Sequence, residues 1–175
     1  DFIRSRDLGL NKENVALLRL EGGMREQYDT FKRELMRVDG VLAVSSANQN
    51  PLHLGQNTIG VEWEGKDPDD NTLFWDSSVG YDYVETLGIE IAQGRAFSEA
   101  FGGDSTNYLV NWRAAHAMGM DDPVGREISF QGNPGTIVGV MEDFHMGSIY
   151  QPIRPVILRL RPRRTSLFFV RTAAG

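Results

Sequence analysis

Residues 134–155 read PGTIVGVMEDFHMGSIYQPIRP, and the rest of the chain is organised around this stretch. Thr136-Ile137-Val138-Gly139-Val140 sets β-branched apolar residues around one glycine, the composition of a strand buried on at least one face. Gly139 has no side chain, so a neighbouring group can lie close against its backbone. Glu142, Asp143, Phe144 and His145 follow as a polar cluster with one aromatic. Pro152 and Pro155 bracket Ile153-Arg154 and hold that link extended. A second strand is predicted over Val156 to Leu160. The stretch reads as a core strand, a charged turn and a stiff connector that passes the chain from one lobe to another.

Upstream, Glu127–Phe130 and Thr136–Val140 are expected to form a hairpin across residues 131–135. Asn111 is placed to cap a helix over Trp112–Met118, which Gly119 ends. Gly94-Arg95-Ala96-Phe97 reads as a tight turn, and Tyr81–Leu87 as a short helix closed by Gly88. Two runs, 58–64 and 72–79, alternate with period two and flank a polar turn, which predicts a hairpin carrying Trp63 and Trp75. Nearer the start, Met24, Tyr28, Phe31, Leu35 and Val38 form one apolar helical stripe that Gly40 stops. Strands over Val15–Leu20 and Val41–Ala47 complete a β-α-β unit. Downstream, Leu167–Arg171 is expected to pair with the strand before it. The fold class is α+β.

At 175 residues the chain is one domain or two small lobes. It is 41% hydrophobic and 24% charged, an ordinary globular composition. No run approaches the roughly 18 apolar residues that a membrane helix needs. The first ten residues lack the apolar core of a signal peptide. The chain starts at Asp1 and reads as a fragment of something larger. A net charge of −6 argues against non-specific nucleic-acid binding. That total hides an asymmetry: residues 62–104 are strongly acidic, whereas residues 154–171 hold six arginines and no acid.

Chemistry is sparse. Without cysteine there are no disulfides, thiolate metal sites or cysteine nucleophiles. His53, His116 and His145 lie far apart and none pairs with another at metal spacing. Asp67, Asp69 and Asp70 lack the glycine and distal glutamate of a calcium loop. No phosphate-binding glycine motif occurs. Asp143 and His145 are the acid–base candidates, since a carboxylate can orient an imidazole as a base. No serine or cysteine elbow accompanies them, and Asp143 capping a turn with Phe144 anchored in the core accounts for the same residues. No catalytic, cofactor or metal residue is assigned. Gly94, Arg95, Asp143, Phe144, His145, Pro152 and Pro155 stand as structural turn candidates.

The order of five stretches carries a resemblance: DLGLNKENV (7–15), YDTFKRELMRVDGVLAVSSA (28–47), VGYDYVETLGIEIAQGRAFSEAFGGDSTNYLVN (79–111), AAHAMGMDDPVGREISF (114–130) and IVGVMEDFHMGSIYQPIRPVIL (137–158). Together they resemble the MacB-like periplasmic core domain of FtsX-type ABC transporter permeases, most of all the long permeases of the Bacteroidetes. The resemblance implies a domain outside the inner membrane, in the periplasm, inserted between two transmembrane helices. It implies residues 1–13 as a lead-in from the first of them. It implies a porter-like lobe over 14–47 and 153–171 and an inserted, mostly β distal lobe over 57–150. Relatives continue past the final strand with a helix and another strand, so the porter-like lobe is expected to be incomplete here. Implied partners are the protein's own membrane helices, a cytoplasmic ATPase subunit acting indirectly, and a periplasmic partner protein or lipoprotein cargo, with a dimer in the full transporter. ATP hydrolysis belongs elsewhere, and no cofactor is implied. The alternative is a small ligand-binding module or hydrolase that uses Asp143 and His145.

Overall fold

The computed structural model describes residues 11, 13–24, 27–145 and 151–173. The elements run β1 (Val15–Arg19), α1 (Tyr28–Leu35), β2 (Val41–Ala47), β3 (Asn57–Thr58), β4 (Val61–Trp63), β5 (Phe74–Val79), α2 (Tyr83–Leu87), β6 (Ile91–Gly94), β7 (Tyr108–Asn111), α3 (Trp112–Ala117), β8 (Glu127–Phe130), β9 (Asn133–Met141), β10 (Val156–Leu160) and β11 (Leu167–Thr172). All strands join one mixed sheet in the order β1-β11-β2-β5-β10-β7-β9-β8-β4, with β3 on β5 and β6 on β9. The expected α+β class holds. Among the described residues no helix is long and apolar enough to cross a membrane.

The sheet narrows at one place. β2 and β5 are in register only at Ala47↔Val79, flanked by the bonds Gly80 N–H to Ser46 O and Asn48 N–H to Ser78 O. On one side lie β1, β11 and β2. There α1 packs Tyr28 and Phe31 onto Phe168, with ring centroids 5.1 and 5.4 Å apart. Tyr83 of α2 meets Phe169 on the opposite face, edge-on at 6.0 Å. Consecutive residues of a strand point to opposite faces, so β11 holds one helix on each side. On the other side of the narrowing, β5, β10, β7, β9 and β8 bury Phe74, Tyr108, Val110, Ile128, Phe130, Ile137, Val140 and Ile157 under Ala114 and Met118.

Four expectations change. The apolar stripe 24–38 gives a helix over only 28–35, and Met24 and Val38 are exposed. Met24 sits in a separate 3-10 turn, Gly22–Met24, and the chain turns after Met36, with Gly40 at φ +84° immediately before β2. The two tryptophan strands form no hairpin: β3 pairs with β5, while β4 pairs with β8. A break at Ile59-Gly60 sends Gly60 O to the Gln131 N–H, so Trp63 packs on Phe74, and Trp75 belongs to another cluster. The last strand does not pair with β10, because β2 and β5 lie between them. Finally, the β8–β9 turn is just Gln131-Gly132, both at positive φ (50° and 79°), and β9 begins at Asn133. That conformation suits a two-residue hairpin turn.

Candidate functional site

Two constructions draw on residues singled out in the sequence. The first centres on β9 and the turn after β6. Gly94 has φ +71°, and a Cβ there would overlap the carbonyl oxygen of Val138; a Cβ at Gly139 would overlap that of Arg95. The two backbones touch because both residues lack side chains. Arg95 then grips Asp104 with both arms, at 2.7 and 2.8 Å, and lies 3.7 Å over the Phe101 ring. Asp104 is wholly buried and also accepts from the Ser98 N–H (2.9 Å) and the Asn107 amide (3.2 Å). Burial alone would push its carboxyl up. The guanidinium and the two further donors outweigh that and hold it below the usual carboxylate range.

The second construction ties the connector down. Asn111 is fully buried. Its Oδ1 accepts from Ala114 N–H (3.0 Å), capping α3, and from Val156 N–H (2.8 Å), and its Nδ2 donates to Arg154 O (2.9 Å). Sequence reading found the cap and missed the link to the connector, which lies 43 residues away. Arg154 stacks 4.4 Å over Trp75, and Pro155 O accepts from Trp75 N–H (2.8 Å). Pro152 is exposed. Asp143 accepts from Arg113 N–H at 2.9 Å, in the first turn of α3; residues 146–150 lie outside the described residues. Phe144 is buried in the core and His145 is half-buried.

A third arrangement lies where the chain comes in and leaves. β1 and β11 are antiparallel, with Val15 opposite Arg171. The Arg171 guanidinium donates to three carbonyls, Thr86 (2.8 Å), Glu13 (3.3 Å) and Asn11 (2.6 Å), and Asn11 N–H donates to Leu87 O. Only Asn11 and Glu13 of the expected lead-in 1–13 fall within the described residues.

A groove of about 910 Å³ lies between β4, β8 and the α3–β8 loop. Trp63, Met118, Met120 and Ile128 supply its apolar surface, and Glu62, Glu64, Asp121, Asp122, Arg126 and Glu127 its charges. Neither Asp143 nor His145 lines it, so the acid–base pair and the groove are separate features.

The profile of the MacB-like periplasmic core domain matches residues 10–175. No curated protein matches the sequence. Among solved structures, the periplasmic region of MacB from Actinobacillus actinomycetemcomitans superposes with TM-score 0.64 at 15% identity, covering 100% of this chain and 81% of that one. The extracellular domain of the noncanonic ABC-type transporter YknZ from Gram-positive bacteria gives TM-score 0.63 at 14% identity, over 93% of this chain and 85% of that one. A domain of a putative permease from Porphyromonas gingivalis gives 0.54 at 17%, over 79% and 59%. At such identities these likenesses speak for the fold alone, and the profile match speaks for the family. The chain belongs to the MacB-like periplasmic core domain family, the periplasmic domain of MacB-like ABC transporter permeases.

Proposed function

We propose that this domain passes ATP-driven movement of membrane helices to a partner or cargo outside the inner membrane, in export or lipoprotein release. Residues 14–47 and 153–171 form the lobe nearer the membrane, and residues 57–150 the distal lobe; β10 of the first lobe lies between β5 and β7 of the second, so the two share one sheet. The working transporter is a dimer, with ATP hydrolysed by its cytoplasmic ATPase. One observation carries the reading: β1 and β11 lie side by side, Val15 opposite Arg171, and one guanidinium bonds the segment before β1 to α2. A membrane tether entering at residues 11–13 would act on β11 and α2 together. The family is non-catalytic in general, and Asp143 accepts from the Arg113 N–H in the first turn of α3.

The test is Arg171→Ala in the full-length transporter. Transport should fall about tenfold while ATP hydrolysis persists. Unchanged transport in a folded variant contradicts the proposal.

A further inference from the structure

We infer that the groove between β4, β8 and the α3–β8 loop is a docking surface for a cationic, amphipathic segment of a partner protein. Its apolar lining is of the kind that grips side chains: the half-buried Trp63 and Met120, and behind them Met118 and Ile128. Aromatic and methionine side chains are enriched at protein interfaces because they bury large area and adapt their shape. The Trp63 ring is held by two neighbours, Phe74 edge-on at 5.8 Å and the Lys66 ammonium 5.0 Å from its centroid. That ring is therefore preorganised rather than free to turn away.

The rim selects the sign of the partner. Lys66 already serves Glu62, at 3.1 Å, and two backbone carbonyls. Among the described residues Glu64, Asp121, Asp122 and Glu127 have no ion-pair partner, and the only cation lining the groove is Arg126. All four carboxylates are exposed. Their field steers and orients a positive segment and rejects a negative one. Asp143, His145 and the six arginines of residues 154–171 take no part, so the groove is a feature apart from the connector.

This deepens the proposed function, since it names the partner chemistry for one face of the same domain. The probe is a 15-residue amphipathic peptide with lysines on one face and leucines on the other, added to the isotope-labelled 175-residue chain at low salt. Saturable amide shifts should concentrate at Glu62–Glu64 and Met118–Ser129. The double charge reversal Glu64→Lys with Asp122→Lys should weaken binding at least tenfold, as should Met120→Ser. Both reversed positions are exposed, so the variant tests charge rather than folding. The proposal is overturned if the reversed variant binds as well as the parent. It also fails if a peptide with glutamate in place of lysine binds equally, if the shifts spread over the acidic surface at large, or if anionic vesicles shift these residues while the peptide does not. A chain that ignores the peptide removes the groove and leaves the coupling role to the Arg171→Ala experiment.

Discussion

β1 and β7 are both short strands, yet four of the five residues of β1 are exposed and all four of β7 are buried. β1 is the outer strand of the part that carries the chain ends, with Leu17 47% and Leu18 39% exposed on opposite faces. β7 sits between β9 and β10. The part built on β7, β9 and β10 is held by interactions with little tolerance: two backbones in contact through glycines, a buried carboxylate with three donors, and a buried asparagine with three bonds. The terminal part is held by Tyr28, Phe31 and Tyr83 against the two faces of β11, by a small apolar cluster and by a guanidinium bonded to carbonyls, and it ends in an exposed edge strand. This contrast predicts a stiffer body around β7, β9 and β10 and a more compliant edge at β1.

The largest effect expected from this contrast is at Gly94. Gly94→Val places a branched side chain at φ +71° and against the Val138 carbonyl, and should cost about 3–4 kcal/mol or prevent folding, read by urea unfolding. Asp104→Asn removes one member of a buried pair. About 2–3 kcal/mol is expected, below the full cost of breaking a buried pair, because a third of the Arg95 side chain is exposed. The Asp104 carboxyl is depressed in the folded state. Its stabilisation is therefore present above the unfolded value of about 3.9 and is lost as pH falls through the folded value. The parent should lose more stability than Asp104→Asn between pH 5 and pH 2; parallel losses would remove Asp104 from the distal framework.

Asn111→Ala should cost about 2 kcal/mol, since a cap and two connector bonds go together. Asn111→Asp keeps the acceptor and should recover about half. In the terminal part, Arg171→Ala should cost only about 1 kcal/mol, yet amide exchange at Asn11 should accelerate. Leu18→Lys on the exposed edge should change stability by less than about 0.5 kcal/mol. Were Leu18→Lys as costly as Asn111→Ala, the contrast between the two parts would collapse.

The strands were legible in the sequence; of their pairings the β8–β9 hairpin was legible, and the long-range ones were not. Val41–Ala47 and Val156–Leu160 were found at their observed bounds, because apolar runs between turn formers mark a strand locally. Alternation in 58–64 and 72–79 told which residues share a face and nothing about which strand lies alongside. β4 went to β8, some 65 residues downstream. The turn at residues 162–165 looked like a hairpin turn, although it carries the chain past β5 and β2 to the far side of the sheet. For the sites, Gly139 announced a close approach, and the approaching carbonyl proved to be that of Arg95. The groove had no local signature: Trp63 and Asp122 are far apart in the chain, and only the β4–β8 pairing brings them together.

Hydrogen exchange on the full transporter, with and without a non-hydrolysable ATP analogue, tests the account most directly. Nucleotide should alter amide protection at residues 11–20, at 167–173 and beside the Ala47↔Val79 pair, and leave β7, β8 and β9 unchanged. No change anywhere in the domain, or changes concentrated in β7 to β9, would contradict a stiff distal body driven from its tethered end.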